Sequence, residues 1–137
     1  MPAEFFVEII TPERSFFCEM VESVILPTPT GQMSIQKGHE VMVISIAPGE
    51  LKINHAKKWL SCSVAPGFVE VRPDETIIFT QAAEWPEEID IRRAEEAKQR
   101  AEERLRQKLS EREYRSNKIA LARAMARLQL SKRKSKM

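Results

Sequence analysis

The sequence predicts a two-part chain: a small β domain of short strands, sandwich or barrel, followed by an antiparallel two-helix hairpin. Three observations carry this. All four glycines and all eight prolines lie at or before Pro86. β-branched and aromatic runs fill the chain up to that point, whereas the rest is Ala, Arg, Lys and Glu at helical spacing. Charge divides at the same place. Residues 1–88 hold 6 Lys/Arg and 13 Asp/Glu, and residues 89–137 hold 16 and 7, so the net +2 conceals an acidic half and a basic half. The expected units are a β domain over 1–86 and a helical hairpin with a basic tail over 87–137.

Glu4–Thr11 (E-F-F-V-E-I-I-T) reads as the first strand, ended by Pro12. Val21–Leu26 is a second apolar run, stopped by P-T-P-T-G. Met33–Ile35 is short, and K-G-H (Lys37–His39) reads as a turn. Val41–Ile46, Leu51–Asn54 and Trp59–Val64 follow, with A-P-G turns at Ala47–Gly49 and Ala65–Gly67. Phe68–Arg72 and Thr76–Ala83 complete the domain around P-D-E. Frequent Pro/Gly punctuation between short alternating runs is the pattern of an antiparallel sandwich or barrel.

After Pro86 the period changes from two to 3.6. Asp90 is placed to cap a first helix, on which Ala94, Ala97, Ala101 and Leu105 form a narrow apolar stripe. Ser110 and Glu113 form an S-x-x-E capping box that restarts a second helix. Its expected apolar face is Tyr114, Leu121, Ala124, Met125 and Leu128. Each helix is expected to run about 20 residues, roughly 30 Å, and the S-K-R-K-S-K tail is expected to fray. The turn between them, near Leu109–Arg112, contains neither Gly nor Pro. The segment is therefore able to bend into a hairpin or straighten into one helix, which suits a switch.

Several functions are excluded at this level. No stretch approaches the roughly 20 apolar residues needed to cross a bilayer, and the N-terminus has no signal-peptide pattern, which predicts a cytoplasmic protein. Cys18 and Cys62 fit reduced structural thiols. His39 and His55 sit in turn-like contexts without a carboxylate at ligand spacing. There is no G-x-S-x-G serine and no phosphate-cradling glycine loop, so nothing reads as a catalytic centre.

Arginines are the chemistry this chain does offer. Asp90, Arg93, Ala97 and Arg100 share one face of the first helix, and Arg123 and Arg127 are i, i+4 neighbours on the second. Antiparallel folding is expected to bring these four guanidiniums together, with Glu84 and Asp90 at the rim. Converging guanidiniums suit phosphate oxygens, because the planar fork donates parallel hydrogen bonds. The competing reading is a set of solvated i, i+4 pairs with Glu. A basic hairpin also suits a nucleic-acid-binding adaptor, but Glu residues interrupt the positive face and no recognition motif is present.

I-D-I-R-R-A (Ile89–Ala94), A-K-Q-R-A-E-E-R-L (Ala97–Leu105) and A-L-A-R-A-M-A-R-L (Ala120–Leu128) resemble the C-terminal hairpin of the epsilon subunit of bacterial F-type ATP synthases. I-I-T-P (Ile9–Pro12), G-Q-M-S-I-Q-K-G-H (Gly31–His39), P-G-F-V-E-V-R-P-D (Pro66–Asp74) and Q-A-A-E (Gln81–Glu84) fall in that family's order. The resemblance implies a β-sandwich of about ten strands followed by the two helices. It also implies a non-catalytic rotor subunit at the cytoplasmic face of the membrane, partnered by the gamma subunit and the c-subunit ring. The implied hairpin is compact when ATP-bound. When extended, it reaches the alpha and beta subunits of the catalytic head and inhibits ATP hydrolysis. No nucleic acid partner is implied. Carried over, the implied ATP-binding residues are Glu84, Asp90, Arg93, Ala94, Arg100, Arg123 and Arg127, with the presence of Mg2+ left open. Gln32 and Ser34 depart from the family's usual G-E-L-G-I loop, which resembles the loop facing the c ring. A passive coupler whose hairpin never moves is the remaining alternative.

Overall fold

Alternation in the first run places Phe5, Val7 and Ile9 inward, all essentially inaccessible to solvent. The computed structural model describes residues 3–135. Ten strands form: β1 (Phe5–Ile10), β2 (Ser15–Val21), β3 (Ser23–Thr28), β4 (Gly31–Ile35), β5 (Met42–Ile46), β6 (Gly49–His55), β7 (Lys58–Val64), β8 (Gly67–Val71), β9 (Glu75–Thr80) and β10 (Ala83–Glu84). They make two five-stranded sheets, ordered β2-β1-β9-β8-β5 and β10-β7-β6-β3-β4. Pairing is antiparallel except between β1 and β9. The inner faces meet as a sandwich core, with Val7, Val69 and Ile78 from one sheet against Leu26, Leu51 and Ile53 from the other.

Two strands lie outside the runs read from the residues. The register slips between Ile9 and Ile10, so β2 buries Phe16 and Phe17 in succession and shows no period-two signal. β10 has two residues, too few to carry a pattern. Gly67, expected as a turn residue, opens β8. A Cβ there would lie 1.9 Å from the Phe79 carbonyl oxygen, so the close approach of β9 requires glycine.

The helices are α1 (Ile91–Leu105) and α2 (Glu111–Ser135), with 15 and 25 residues rather than two equal halves. Asp90 caps α1, its carboxylate accepting from the Arg93 amide at 3.2 Å. Ser110 and Glu113 form the predicted box: the Glu113 amide donates to the Ser110 hydroxyl at 3.2 Å, and the Ser110 amide donates back at 3.4 Å. Arg104 also reaches Glu113 across the turn, at 3.3 Å. Ala94, Ala101 and Ala124 are buried in the seam between the helices.

The apolar face expected for α2 holds only in part. Ala124 and Leu128 are buried, but Tyr114 and Met125 are exposed. Tyr114 lies in the first turn of α2, where its ring lies beneath Lys118 instead of against α1. Met125 sits on the flank of α2, lining a groove with Pro27 and Lys52. The helix also runs further than expected: α2 continues through Ser135, with Leu130 and, at the start of the tail, Ser131 buried. Its C-terminal part lies on β6 and β7 of the second sheet, which gives those residues a surface to cover. Residues 136 and 137, the end of that tail, lie outside the described residues.

Two outcomes follow from this packing. Gly67→Ala sets a methyl against backbone that cannot move aside, and should cost about 2 kcal/mol or more in urea unfolding with an unchanged slope. Ala101→Leu overfills the narrow seam. Amide exchange should rise at least about tenfold across α1, while the core strands keep their protection.

Candidate anion-binding cleft

The strand order explains why the hairpin meets the sandwich where it does. β10 pairs with β7, setting Glu84 opposite Ser63, and β7 pairs with β6, setting Ser63 opposite Glu50. These three polar residues form a row on the outer face of the second sheet. α2 covers that face, which is why Cys62, Ser63 and Val64 are all buried on consecutive positions of β7. The chain then passes through Trp85 and a 3-10 turn at Pro86–Glu88 before α1 begins.

Glu84 is the contact point. Arg127 Nη2 donates to Glu84 Oε2 at 3.0 Å, and Arg127 Nε lies 2.7 Å from Oε1 without the alignment of a second hydrogen bond. Arg123 Nη2 approaches the same carboxylate at 3.7 Å. The side chains of Glu84 and Arg127 are only 20 % and 14 % exposed, so this pair is much less screened than a surface bridge. Glu84 is thus gripped from α2 rather than projecting freely at a rim.

Beside this pair opens a cleft of about 680 Å³, lined by Arg14, Glu84, Glu88, Arg93 and Arg123 together with Thr11, Glu13 and Gln81–Ala83. Its volume lies within the roughly 300–1,000 Å³ range of small-molecule sites. The antiparallel hairpin brings Arg93 of α1 and Arg123 of α2 to the same cavity. Asp90 caps the adjacent helix start, whose amide groups carry the positive end of the helix dipole. Ala94 is fully buried behind them, which permits α2 to come close. Arg127 lies behind Glu84, and Arg100 is exposed two turns along α1 and outside the lining.

The sandwich contributes residues that helix periodicity does not reveal. Arg14, in the β1–β2 turn, donates through Nη2 to both carboxylate oxygens of Glu88 at 2.9 and 2.7 Å. The Trp85 amide donates to Glu88 Oε1 at 3.0 Å. That amide bond, opposed by partial desolvation and aided by Arg14, holds the Glu88 carboxyl below its ordinary range. Seventy-four residues separate Arg14 from Glu88, so no local pattern joins them.

The other candidates for chemistry lie outside the cleft lining. His39 Nδ1 lies 3.0 Å from the Glu40 carbonyl, and His55 Nδ1 lies 3.0 Å from that of Met20. Cys18 and Cys62 are free thiols, and burial pushes Cys62 up to about 12. Among the described residues no group of three or more His, Cys, Asp or Glu side chains converges as for a metal ion, and no helix is long and apolar enough to cross a membrane.

Known proteins resemble this chain over almost all of it. Residues 4–86 match the ATP synthase delta/epsilon chain β-sandwich domain, and residues 87–132 match the long α-helix domain of the same chains. The ATP synthase epsilon chain of Ruminiclostridium cellulolyticum is 48 % identical over 132 residues, covering 96 % of this chain and 98 % of that one. That of Caldanaerobacter subterraneus subsp. tengcongensis is 45 % identical, covering all of both. A chain in the cryo-EM structure of the Euglena gracilis mitochondrial ATP synthase, containing OSCP, F1 and the c-ring, superposes with a TM-score of 0.77. It is 26 % identical, over 92 % of this chain and 80 % of that one. With both domain types matched in order and near half the residues shared with full-length relatives, this chain belongs to the ATP synthase delta/epsilon family.

Proposed function

We propose that this chain is a non-catalytic central-stalk subunit of a rotary ATP synthase whose hairpin regulates ATP hydrolysis. The sandwich is its anchor to the gamma subunit and the c-subunit ring, on the cytoplasmic side of the membrane. The compact hairpin, docked on β6 and β7, is the form that takes up ATP. An extended hairpin, reaching the alpha and beta subunits of the catalytic head, is the inhibitory form.

The observation that carries the ATP reading is the meeting of Arg93 and Arg123 in one cleft beside Glu84 and a helix start. Guanidiniums suit phosphate oxygens, and the Glu84 carboxylate is an acceptor for a base or sugar hydroxyl. Because the two arginines come from different helices, a ligand that binds both is bound only by the folded-back hairpin. At a hundredfold excess over Kd such a ligand favours that form by about 2.7 kcal/mol. Complete reversal from 1:99 to 99:1 needs about 5.5 kcal/mol. ATP therefore controls the hairpin only if the two forms are closely balanced without it.

The turn supports such a balance. Straightening Arg106–Ser110 into helix gives up the Ser110–Glu113 box, about 1 kcal/mol, an exposed Arg104–Glu113 bridge and a thin alanine seam, together with the docking of α2 on β6 and β7 through Arg127 and Glu84. In return it gains continuous helix hydrogen bonds through residues that include no breaker.

Titration calorimetry of ATP into the full chain tests the site. The Arg123→Ala/Arg127→Ala variant should bind at least about tenfold more weakly, given about 1.5–3 kcal/mol for each charge-assisted bond. Equal binding by the variant would remove these residues from the site. The switch is tested by a disulfide between cysteines at Ala126 and Lys52, which line one groove between α2 and β6, in a Cys18→Ser background. Oxidation should raise ATP hydrolysis by the assembled enzyme, and reduction should reverse the rise. Unchanged hydrolysis would leave the hairpin a passive coupler.

A further inference from the structure

The β1–β2 turn is built to present one side chain. The Thr11 hydroxyl accepts from the Arg14 and Glu13 amides at 3.1 and 3.3 Å and donates to the Arg14 carbonyl at 3.1 Å. The Thr11 amide also donates to that carbonyl, at 2.9 Å. Pro12 stiffens the same turn. Arg14 then lies with its guanidinium 5.0 Å from the centre of the Phe16 ring, and Phe16 stacks on Trp85 at 4.5 Å. The guanidinium spans to Glu88, whose carboxylate is in turn held by the Trp85 amide. The contacts close into a ring of Arg14, Phe16, Trp85 and Glu88. Through Trp85 and Glu88 this ring ties the segment that links the last strand to α1 onto the β1–β2 turn.

We propose that Arg14 is a positioning residue of the cleft: by clamping Glu88 from the sandwich, it fixes the angle at which α1 leaves and so holds Arg93 opposite Arg123. Glu88 is two residues from the Asp90 cap, and Arg93 is on the first turn of the helix that cap begins, so a small rotation at Glu88 swings Arg93 across the cavity. Among the described residues Arg93 makes no ion pair of its own, so its place is set by the helix start. The inference takes its ligand, ATP, from the reading above, but the clamp itself is a property of the free chain.

Two measurements separate these. Hydrogen exchange of the full chain without ligand reads the clamp. Arg14→Ala and Glu88→Ala should each speed exchange at Ala94–Ala97, the double variant should add little, and Arg14→Lys should recover part of the loss. Unchanged exchange in both single variants overturns the clamp. Calorimetric titration with ATP reads its consequence. Both alanine variants should bind about two- to fivefold more weakly, the range expected of an exposed ion pair, again without additivity. Tighter binding by Glu88→Ala would mean that Glu88 only withholds Arg14 from the ligand, and overturns the positioning role. Failure of the unsubstituted chain to bind ATP rejects the nucleotide reading, and exchange alone then decides the clamp.

Discussion

One carboxylate joins the two halves of this molecule. Glu84 is the last residue of the last strand, fixed in register by pairing with Ser63, and its side chain meets Arg127 and Arg123 from the far end of the hairpin. A hairpin whose helices share only an alanine seam buries little area of its own. It needs the sandwich, and Glu84 is where the sandwich takes hold. Because both partners are largely shielded, separating them exposes two charges that must be rehydrated at once. The contact is therefore directional, and it fixes where α2 lies more than how tightly it lies there.

The polar character of that junction bears on how firmly the hairpin is held. A hairpin laid on a sheet through a wide apolar face would bury about 25 cal/mol for each Å² and would be hard to lift. Here the covered face of the second sheet offers Glu50, Ser63 and Glu84 in a row, and α2 meets it with Arg127 on Glu84 and with the buried Leu130 alongside. Polar groups of this kind find partners in water and on other protein surfaces, so they add less to the cost of exchanging one docking surface for another than a wholly apolar face would. Arg123 belongs to both features: it approaches Glu84 at 3.7 Å and lines the cleft that Arg93 also enters. A ligand that engages Arg123 has to share or replace a carboxylate already in place, which couples its affinity to the docking of the hairpin.

The helical half was the more legible in the sequence. A 3.6 period, an Asp cap and an S-x-x-E box are local signals, and each falls at the position it indicated, with Asp90, Ser110 and Glu113 in their capping roles. Burial of Ala94, Ala101 and Ala124 followed from the same period. Tyr114 and Met125 did not, because periodicity reports a face without saying how far the partner extends along it. In the sandwich, alternating strands were visible, while β2 was hidden by a register slip and β10 by its brevity. Half of the cleft was hidden for a different reason. Arg93 and Arg123 are linked by helix spacing and an antiparallel turn, but Arg14 and Glu88 are linked only by the parallel pairing of β1 and β9 and the strand order that follows from it.

That difference bears on what the sandwich does for the hairpin. If the β domain were only an anchor, its outer turns would be free to vary without effect on the cleft. The T-P-E-R turn is instead braced by four hydrogen bonds around Thr11 and aims a guanidinium at the one segment that sets the direction of α1. An exposed ion pair adds little to global stability, a few tenths of a kcal/mol in most settings. Its leverage here is geometric. Glu88 lies at the hinge, so restricting it restricts every side chain carried on α1, and Arg93 is the first of these to face the cavity. The sandwich thus helps to shape the cleft as well as to carry it.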